Sequence, residues 1–289
     1  MSKASIEILS SSKRDPFISN QFDKKCFQVP FHYHPELELT YITEGSGKRY
    51  VGNNMAGFQK NDLVLLGSNL PHCWKLSQPK TAKAGSIVIQ FSYDFLGKDF
   101  FETSGMMRIN RMIKRSESGI QFNGKIVQVM RDAMNSVINE KDRFRKLMML
   151  LEILNRLSSS KDYVLLSENN FIPQQSDYNL ERINKVYAYI VDNFQDEISL
   201  DKAARLVNMT PNAFCKYFKN TTRKTFMERV IDFRINYATQ LLTETDKTIA
   251  DVCFESGFRD MSHFYKMFTS RMNTSPLNYR KNFLQETSM

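Results

Sequence analysis

Along the first third of the chain the apolar residues come in short runs. Leu37-Glu38-Leu39-Thr40-Tyr41-Ile42, Leu63-Val64-Leu65-Leu66 and Ile87-Val88-Ile89-Gln90-Phe91 are rich in β-branched and aromatic side chains. Gly45-Ser46-Gly47, Gly52-Asn53-Asn54 and Gly67-Ser68-Asn69 punctuate them. Runs of this length between turn residues predict strands, and strands at this spacing predict a barrel or sandwich rather than alternating βαβ units. From about Gly124 the period lengthens. Ile126, Val129, Met130, Ala133, Met134 and Val137 recur at helical spacing, as do Phe144, Leu147, Met148, Leu151 and Leu154, with polar Asn139 to Asp142 between them. Two amphipathic helices follow, whose apolar faces either pack on the strands or form a homodimer interface. Residues 161–179 read as a linker, polar and punctuated by Pro173, although Tyr163 to Leu166 form an apolar run that can dock. After Leu180 the pattern is helical to the end.

The helical end contains an internal repeat. Leu200, Ala203 and Ala204 match Ile249, Val252 and Cys253, and Phe214, Lys216 and Phe218 match Phe264, Lys266 and Phe268 one residue further on, so the second copy has one extra residue in its turn. Each copy (about 199–220 and 248–270) reads as a short helix, a tight turn and a second helix. Thr210 caps the second helix of the first copy with Pro211 at its first position. Gly257 and Asp260 serve the other turn, and each Phe pair points inward at i, i+4. The outward residues are then Asn212, Cys215, Lys216 and Lys219 on one helix and Met261, Ser262, His263, Tyr265 and Lys266 on the other. Lys, Asn, Ser and His donate to phosphates and base edges in a major groove, so these nine are the candidate DNA-contacting residues.

Bulk properties narrow the classes without choosing among them. At 289 residues, 42% hydrophobic and 25% charged, the chain has room for about two domains. No apolar run approaches the ~20 residues of a membrane span, and Met1 to Asn20 lack an apolar signal-peptide core. A cytoplasmic protein without a membrane partner is expected. Cys26, Cys73, Cys215 and Cys253 are scattered without a C-x-x-C pair, against a disulfide framework or cysteine zinc site. The net charge of +9 permits an anionic partner, yet residues 178–289 hold sixteen Lys/Arg against thirteen Asp/Glu. Most of the excess therefore lies outside the repeat, and the repeat is found by its register rather than its charge.

Three of the four histidines share one constellation. His32-Tyr-His34-Pro-Glu-Leu-Glu38 with Gly45 fits H-x-H-x₃-E-x₆-G, and Pro71-His72 follows Asp62-Leu63-Val64-Leu65. On a strand His32, His34 and Glu38 share a face, although Pro35 can interrupt it. With His72 alongside they make a three-histidine, one-carboxylate set able to hold a divalent metal, or else histidines that contact a ligand or support loops. Trp74 faces the same way as His72, either as an aromatic plate for a polar ring or as a core residue. His32, His34, Glu38, His72 and Trp74 are the candidate effector-binding set. The first four are also the candidate metal ligands.

The repeat carries a resemblance. Ala204, Phe214-x-x-x-Phe218-Lys219, Thr225-Phe226, Arg234, Ala238, Leu241-Leu242, Ile249-x-Asp251-Val252, Ser256-Gly257-Phe258, Ser262-x-Phe264, Phe268 and Ser275-Pro276-x-x-Tyr279-Arg280 together resemble the DNA-binding domain of the AraC/XylS regulators over residues 180–284. Where that family usually has Gly after each recognition helix this chain has Arg223 and Asn273, and Arg is costly in a left-handed turn. The resemblance implies two recognition helices in successive major-groove segments, double-stranded DNA as partner and an RNA polymerase contact. The histidine constellation resembles the two cupin motifs, which that family often carries as an effector barrel. Asp94 to Phe101, Ile109, Met112 and Ser118 to Phe122 resemble the segment joining barrel to helices in sugar-responsive members, which implies a carbohydrate-related effector.

The expected architecture is α+β and multidomain: a cupin or jelly-roll β-barrel over 1–120, a helical dimerisation pair over 121–160, the linker 161–179, and an all-α domain with two helix-turn-helix units over 180–289. The expected function is a sequence-specific, effector-responsive transcription regulator acting as a homodimer, and not an enzyme. The alternative is a cupin-type metal-dependent enzyme fused to a helical domain. No nucleophile–base pairing or phosphate-cradling glycine loop accompanies it.

Overall fold

The computed structural model describes residues 17–23, 31–52, 54–76, 83–167 and 177–286; Cys26 and residues 168–176 of the expected linker lie outside them. The chain divides into two compact units, one chiefly of strands with three α-helices up to residue 172 and one whose described residues from 177 onward are helical, with residues 53–56 grouped with the second.

In the first unit, β1 (Phe17–Asp23), β2 (Leu37–Glu44), β5 (Leu63–Leu66), β7 (Gly85–Phe91), β8 (Ile120–Phe122) and β9 (Tyr163–Leu165) form a sheet in the order β1-β7-β2-β5-β8-β9. β3 (Gly47–Val51), β4 (Asn54–Phe58) and β6 (His72–Leu76) form a second, in the order β4-β3-β6. Among the described residues the strands make two sheets, and no strand pairing joins them into a closed ring. Tyr163–Leu165, read as linker in the sequence, add the edge strand beside β8.

Alternation along the strands gives the large sheet two different faces. Leu37, Leu39, Tyr41, Leu63, Leu65, Ile87, Ile89, Phe91, Ile120 and Phe122 meet the helices in one apolar core. Those helices are α1 (Met107–Arg115), which sequence periodicity did not reveal, α2 (Lys125–Asn139) and α3 (Arg143–Ser159). Asp142 caps α3 by accepting from the Arg145 backbone N–H. Val127, Met130, Met134 and Val137 of α2 and Leu150, Ile153, Leu154 and Leu157 of α3 supply the buried stripes. Packing on the strands thus accounts for one side of each helix, while Val129, Phe144 and Met148 stay exposed. The opposite face of the large sheet is mixed. Ile42, Val64 and Leu66 join Val51, Phe58, Leu70 and Trp74 in a smaller core, and Glu38, Thr40, Gln90 and Gln121 are polar.

The second unit contains α4 (Asp177–Asn193), α5 (Leu200–Leu206), α6 (Pro211–Thr222), α7 (Phe226–Glu244), α8 (Ile249–Glu255), α9 (Met261–Met272) and α10 (Pro276–Glu286). Capping boxes start α7 (Thr225 with Glu228) and α8 (Thr248 with Asp251). Helix α7 runs between two aromatic cores. Phe226 stacks with Phe214 and Phe218, with ring centroids 5.5 and 5.8 Å away. Ile235, Ala238, Leu241 and Leu242 pack with Val252, Cys253, Phe258, Phe264 and Phe268.

Candidate nucleic-acid interface and sensor site

The two helix pairs α5/α6 and α8/α9 close in the same way. In each the turn passes through a left-handed residue, Asn208 at φ 55° and Gly257 at φ 85°. Gly257 has no alternative: a Cβ there would lie 2.5 Å from the Phe194 carbonyl oxygen. The second helix then starts on a side-chain cap. Thr210 accepts from Ala213 N–H at 3.4 Å and Asp260 from His263 N–H at 2.7 Å. Each ends on a left-handed residue where glycine is the usual choice, Arg223 at φ 61° and Asn273 at φ 54°. Phe214, Phe218, Phe264 and Phe268 are fully buried, and the small Ala203, Ala204 and Cys253 are buried at the helix crossings.

That burial decides which side chains are displayed. Asn212, Cys215, Lys216 and Lys219 on α6 are exposed, as are Ser262, His263, Tyr265 and Lys266 on α9. Met261 is half-buried and packs against the second aromatic core, so it is displayed only in part. The repeat register adds residues that the sequence reading passed over. Thr269 and Ser270 are exposed at the positions equivalent to Lys219 and Asn220.

A buried ionic hub behind these helices carries no local sequence signature. Asp232 of α7 accepts from Arg271 Nε of α9 at 2.9 Å and from Lys224 Nζ at 2.9 Å, with Arg229 at 3.7 Å. Arg229 in turn donates to the Thr222 carbonyl at the end of α6 at 3.0 Å. One carboxylate therefore ties both helix pairs to the helix between them.

In the first unit the histidines come together, by a route that differs from the single strand expected. Pro35 ends the extended run. His32 bridges to His72 beside β6, His34 lies in the connection, and Glu38 is on β2. The ring nitrogens of His32, His34 and His72 nonetheless lie within 4.8 Å of one another. Glu38 is buried among them, accepting from His34 Nε2 at 3.0 Å, Thr40 Oγ1 at 2.5 Å and Gln90 Nε2 at 2.8 Å. Burial opposes a charge on His34, but hydrogen bonds to Glu36 and Glu38 and the charges of both outweigh it, pushing His34 up to about 9. Burial favours a neutral Glu38, yet the neighbouring His72 and His34 hold its carboxyl well below the usual range. His72 donates from Nδ1 to the Leu70 carbonyl at 2.7 Å, and its Nε2 lies 3.7 Å from Glu38 Oε1, within ion-pair range but beyond hydrogen-bond distance. That buried Nε2 has no hydrogen-bond partner among the described residues, and neither does Nε1 of Trp74, whose ring centroid is 5.8 Å from that of His72. Trp74 itself is buried in the smaller core.

This donor set fits a divalent ion. A tetrahedral ion with ~2.0–2.1 Å bonds would need the nitrogens about 3.3 Å apart, a modest closing, and would require His34 to give up its proton.

Comparison with known proteins agrees with the geometry of the second unit. Residues 203–282 match the family model described as "Helix-turn-helix domain". The second unit thus contains a match to a helix-turn-helix domain across both helix pairs. Over most of its length the chain is similar to transcription regulators. It is 22% identical over 256 residues to the melibiose operon regulatory protein of Escherichia coli K12, covering 86% of this chain and 83% of that one. It is 20% identical over 258 residues to an uncharacterized HTH-type regulator of Bacillus subtilis, covering 88% and 86%. Among solved structures, a DNA-binding transcriptional dual regulator from Escherichia coli K-12 aligns at 20% identity and a TM-score of 0.34, covering 39% of this chain and 97% of that one. No described helix is long and apolar enough to cross a membrane.

Proposed function

We propose that the chain is a sequence-specific DNA-binding regulator of transcription whose first unit senses a small polar effector. One observation carries the DNA-binding half: two capped helices in the same repeat register, each burying a Phe pair and displaying polar and basic side chains on the opposite face. Two such helices suit successive major-groove segments, with Lys216 and Lys266 at equivalent positions and Asn212, Cys215, Lys219, Ser262, His263 and Tyr265 beside them. Footprinting on the promoter nearest the chain's own gene tests this, with protection expected on adjacent major-groove faces. Lys216→Ala and Lys266→Ala should each weaken binding and lower the salt slope by about one. Unchanged affinity in both variants refutes the assignment.

The effector reading rests on the buried polar cluster of His32, His34, Glu38 and His72 beside Trp74, in which His72 Nε2 and Trp74 Nε1 have no hydrogen-bond partner among the described residues. A polyhydroxyl compound offers a partner to both, and the relative named for the melibiose operon favours a carbohydrate-related effector. Effector binding would bias the DNA-binding arrangement of a homodimer joined through α2 and α3, whose exposed Val129, Phe144 and Met148 offer an apolar contact. The cupin-like character of the sandwich belongs to this proposal.

A second reading of the cluster, favoured by the three ring nitrogens within 4.8 Å of one another, is a divalent metal held by His32, His34, His72 and Glu38. Metal analysis of protein purified without an affinity tag separates the two. A stoichiometric ion supports the metal; a substoichiometric level unresponsive to added zinc, manganese or iron removes it.

A further inference from the structure

On the helix-covered side of the large sheet, away from the histidines, lies a cleft of about 620 Å³ lined by Arg108, Arg111, Arg115, Lys161, Tyr163 and the serines 158–160. Its chemistry is uneven. Arg108, Arg111 and Arg115 recur at i, i+3, i+7 on α1 and so present three guanidinium groups from one helical face. No carboxylate lies within ion-pairing distance of these three or of Lys161 among the described residues. Arg115 is preorganised, donating to Tyr163 Oη at 2.8 Å with its guanidinium over that ring. Helix-end electrostatics account for Arg115 at the C-terminus of α1. They do not account for Arg108, placed in its first turn where a cation is unfavourable.

The serines divide the lining into donors and acceptors. Ser160 Oγ accepts from Asp162 N–H, leaving its proton free for a ligand. Ser158 and Ser159 both donate to the Asn155 carbonyl, so toward the cleft their oxygens offer only lone pairs. Cations and a free hydroxyl proton suit a doubly charged oxyanion, whereas lone pairs suit hydroxyl donors. We propose that this cleft binds a phosphorylated polyol, its phosphate on the arginines and its hydroxyls on Ser158 and Ser159. The volume is in the range of small-molecule sites, and forked guanidinium donors match phosphate oxygens better than ammonium groups do. The site is separate from the histidine cluster and stands whether or not that cluster binds an effector.

Calorimetric titration of the full chain at about physiological salt tests the proposal, using glucose-6-phosphate, inorganic phosphate and glucose as probes. Glucose-6-phosphate should bind saturably with one site per chain, inorganic phosphate more weakly, and glucose not at this cleft. The Arg108→Gln/Arg111→Gln double variant, altered at two exposed positions, should lose at least about tenfold in glucose-6-phosphate affinity. Its thermal unfolding and DNA affinity should be unchanged. Absence of saturable binding by either phosphate probe, or equal affinity in the variant, overturns the proposal. If the variant instead loses DNA affinity while the wild type ignores both phosphate probes, the cleft belongs to a nucleic-acid surface and the proposal likewise falls.

Discussion

Replacing Asp232 by Asn tests whether one carboxylate sets the relation between α6 and α9. Asp232 is 4% exposed and faces Lys224, Arg229 and Arg271. Removing one member of a buried ion pair costs ~3–5 kcal/mol when the other charge is left stranded. Here Lys224 and Arg271 are about a third exposed and can turn to water, so only Arg229, at 3% exposure, loses a counter-charge that water cannot replace, while it keeps its bond to the Thr222 carbonyl. The Asn oxygen also keeps one acceptor. The expected destabilisation is therefore about 2 kcal/mol, or about 10 °C in the melting temperature of a helical unit this size. The two units of the chain need not unfold together, so a single melting curve is a poor measure. Hydrogen exchange resolved by segment is better. Protection should fall by about thirtyfold at the end of α6 and through α9, with the strands of the first unit as internal control. Arg271→Gln alone should cost about 1 kcal/mol, and the double variant should be less destabilised than the sum because the two share the bond. Strictly additive losses, or unchanged protection in α9 of Asp232→Asn, would show that the hub does not couple the helices.

Three further outcomes follow from local geometry. Arg223→Gly should stabilise the second unit by about 1 kcal/mol by relieving a left-handed Arg, and Asn273→Gly by much less, since Asn tolerates that conformation; urea midpoints followed on helix signals distinguish them. Gly257→Ala should destabilise by more than about 2 kcal/mol, because its Cβ meets two carbonyl oxygens at 2.5 and 2.8 Å at a φ of +85°; a melting temperature equal to wild type contradicts this. In chelator-treated protein the first unit should lose stability as pH rises through about 9. His34 has its pKa raised from 6.5, so its contribution is complete below about 6.5 and disappears as the folded protein deprotonates. Glu38, with its pKa lowered, loses its contribution at the acid end as pH falls below the ordinary carboxylate range. His34→Gln should remove the alkaline slope, worth up to about 3 kcal/mol, and a slope that persists in that variant assigns it elsewhere.

The helical unit was largely legible because its determinants are local. Caps at Thr210 and Asp260, the turn at Gly257 and the Phe spacing all act within one or two turns of helix, and duplication let each copy check the other. The half-burial of Met261 was not legible, because how far a first-turn residue faces the groove or the core depends on packing against another helix. The Asp232 hub was invisible for the same reason, its partner Arg271 lying 39 residues away. In the first unit the strands were legible by composition, but their pairing order was not, because it is set by contacts between segments far apart in the chain. The histidines were found by spacing although the strand invoked to align them is broken at Pro35; their assembly depends on the bridge from His32 to His72. The arginines of α1 carry a helical period in the sequence. It becomes meaningful only once α3 and β9 close the cleft around them.

The two faces of strand β2 differ by a single residue step, and that has a consequence for how the chain finds its fold. Glu38 stands opposite Gln90 in the pairing with β7 and takes its hydrogen bond, while Leu37 and Leu39 on either side lie in the apolar layer. Slipping β2 by one position would drive Glu38 into hydrocarbon and turn its leucines toward the polar cluster, an arrangement that fails on both sides at once. The residues that make this buried cluster polar therefore also act as a pin against misthreading. Substitutions that retune the cluster toward another ligand by removing Glu38 or Gln90 would weaken that pin, and the expected failure is strand misregistration and aggregation before any change in specificity can be measured.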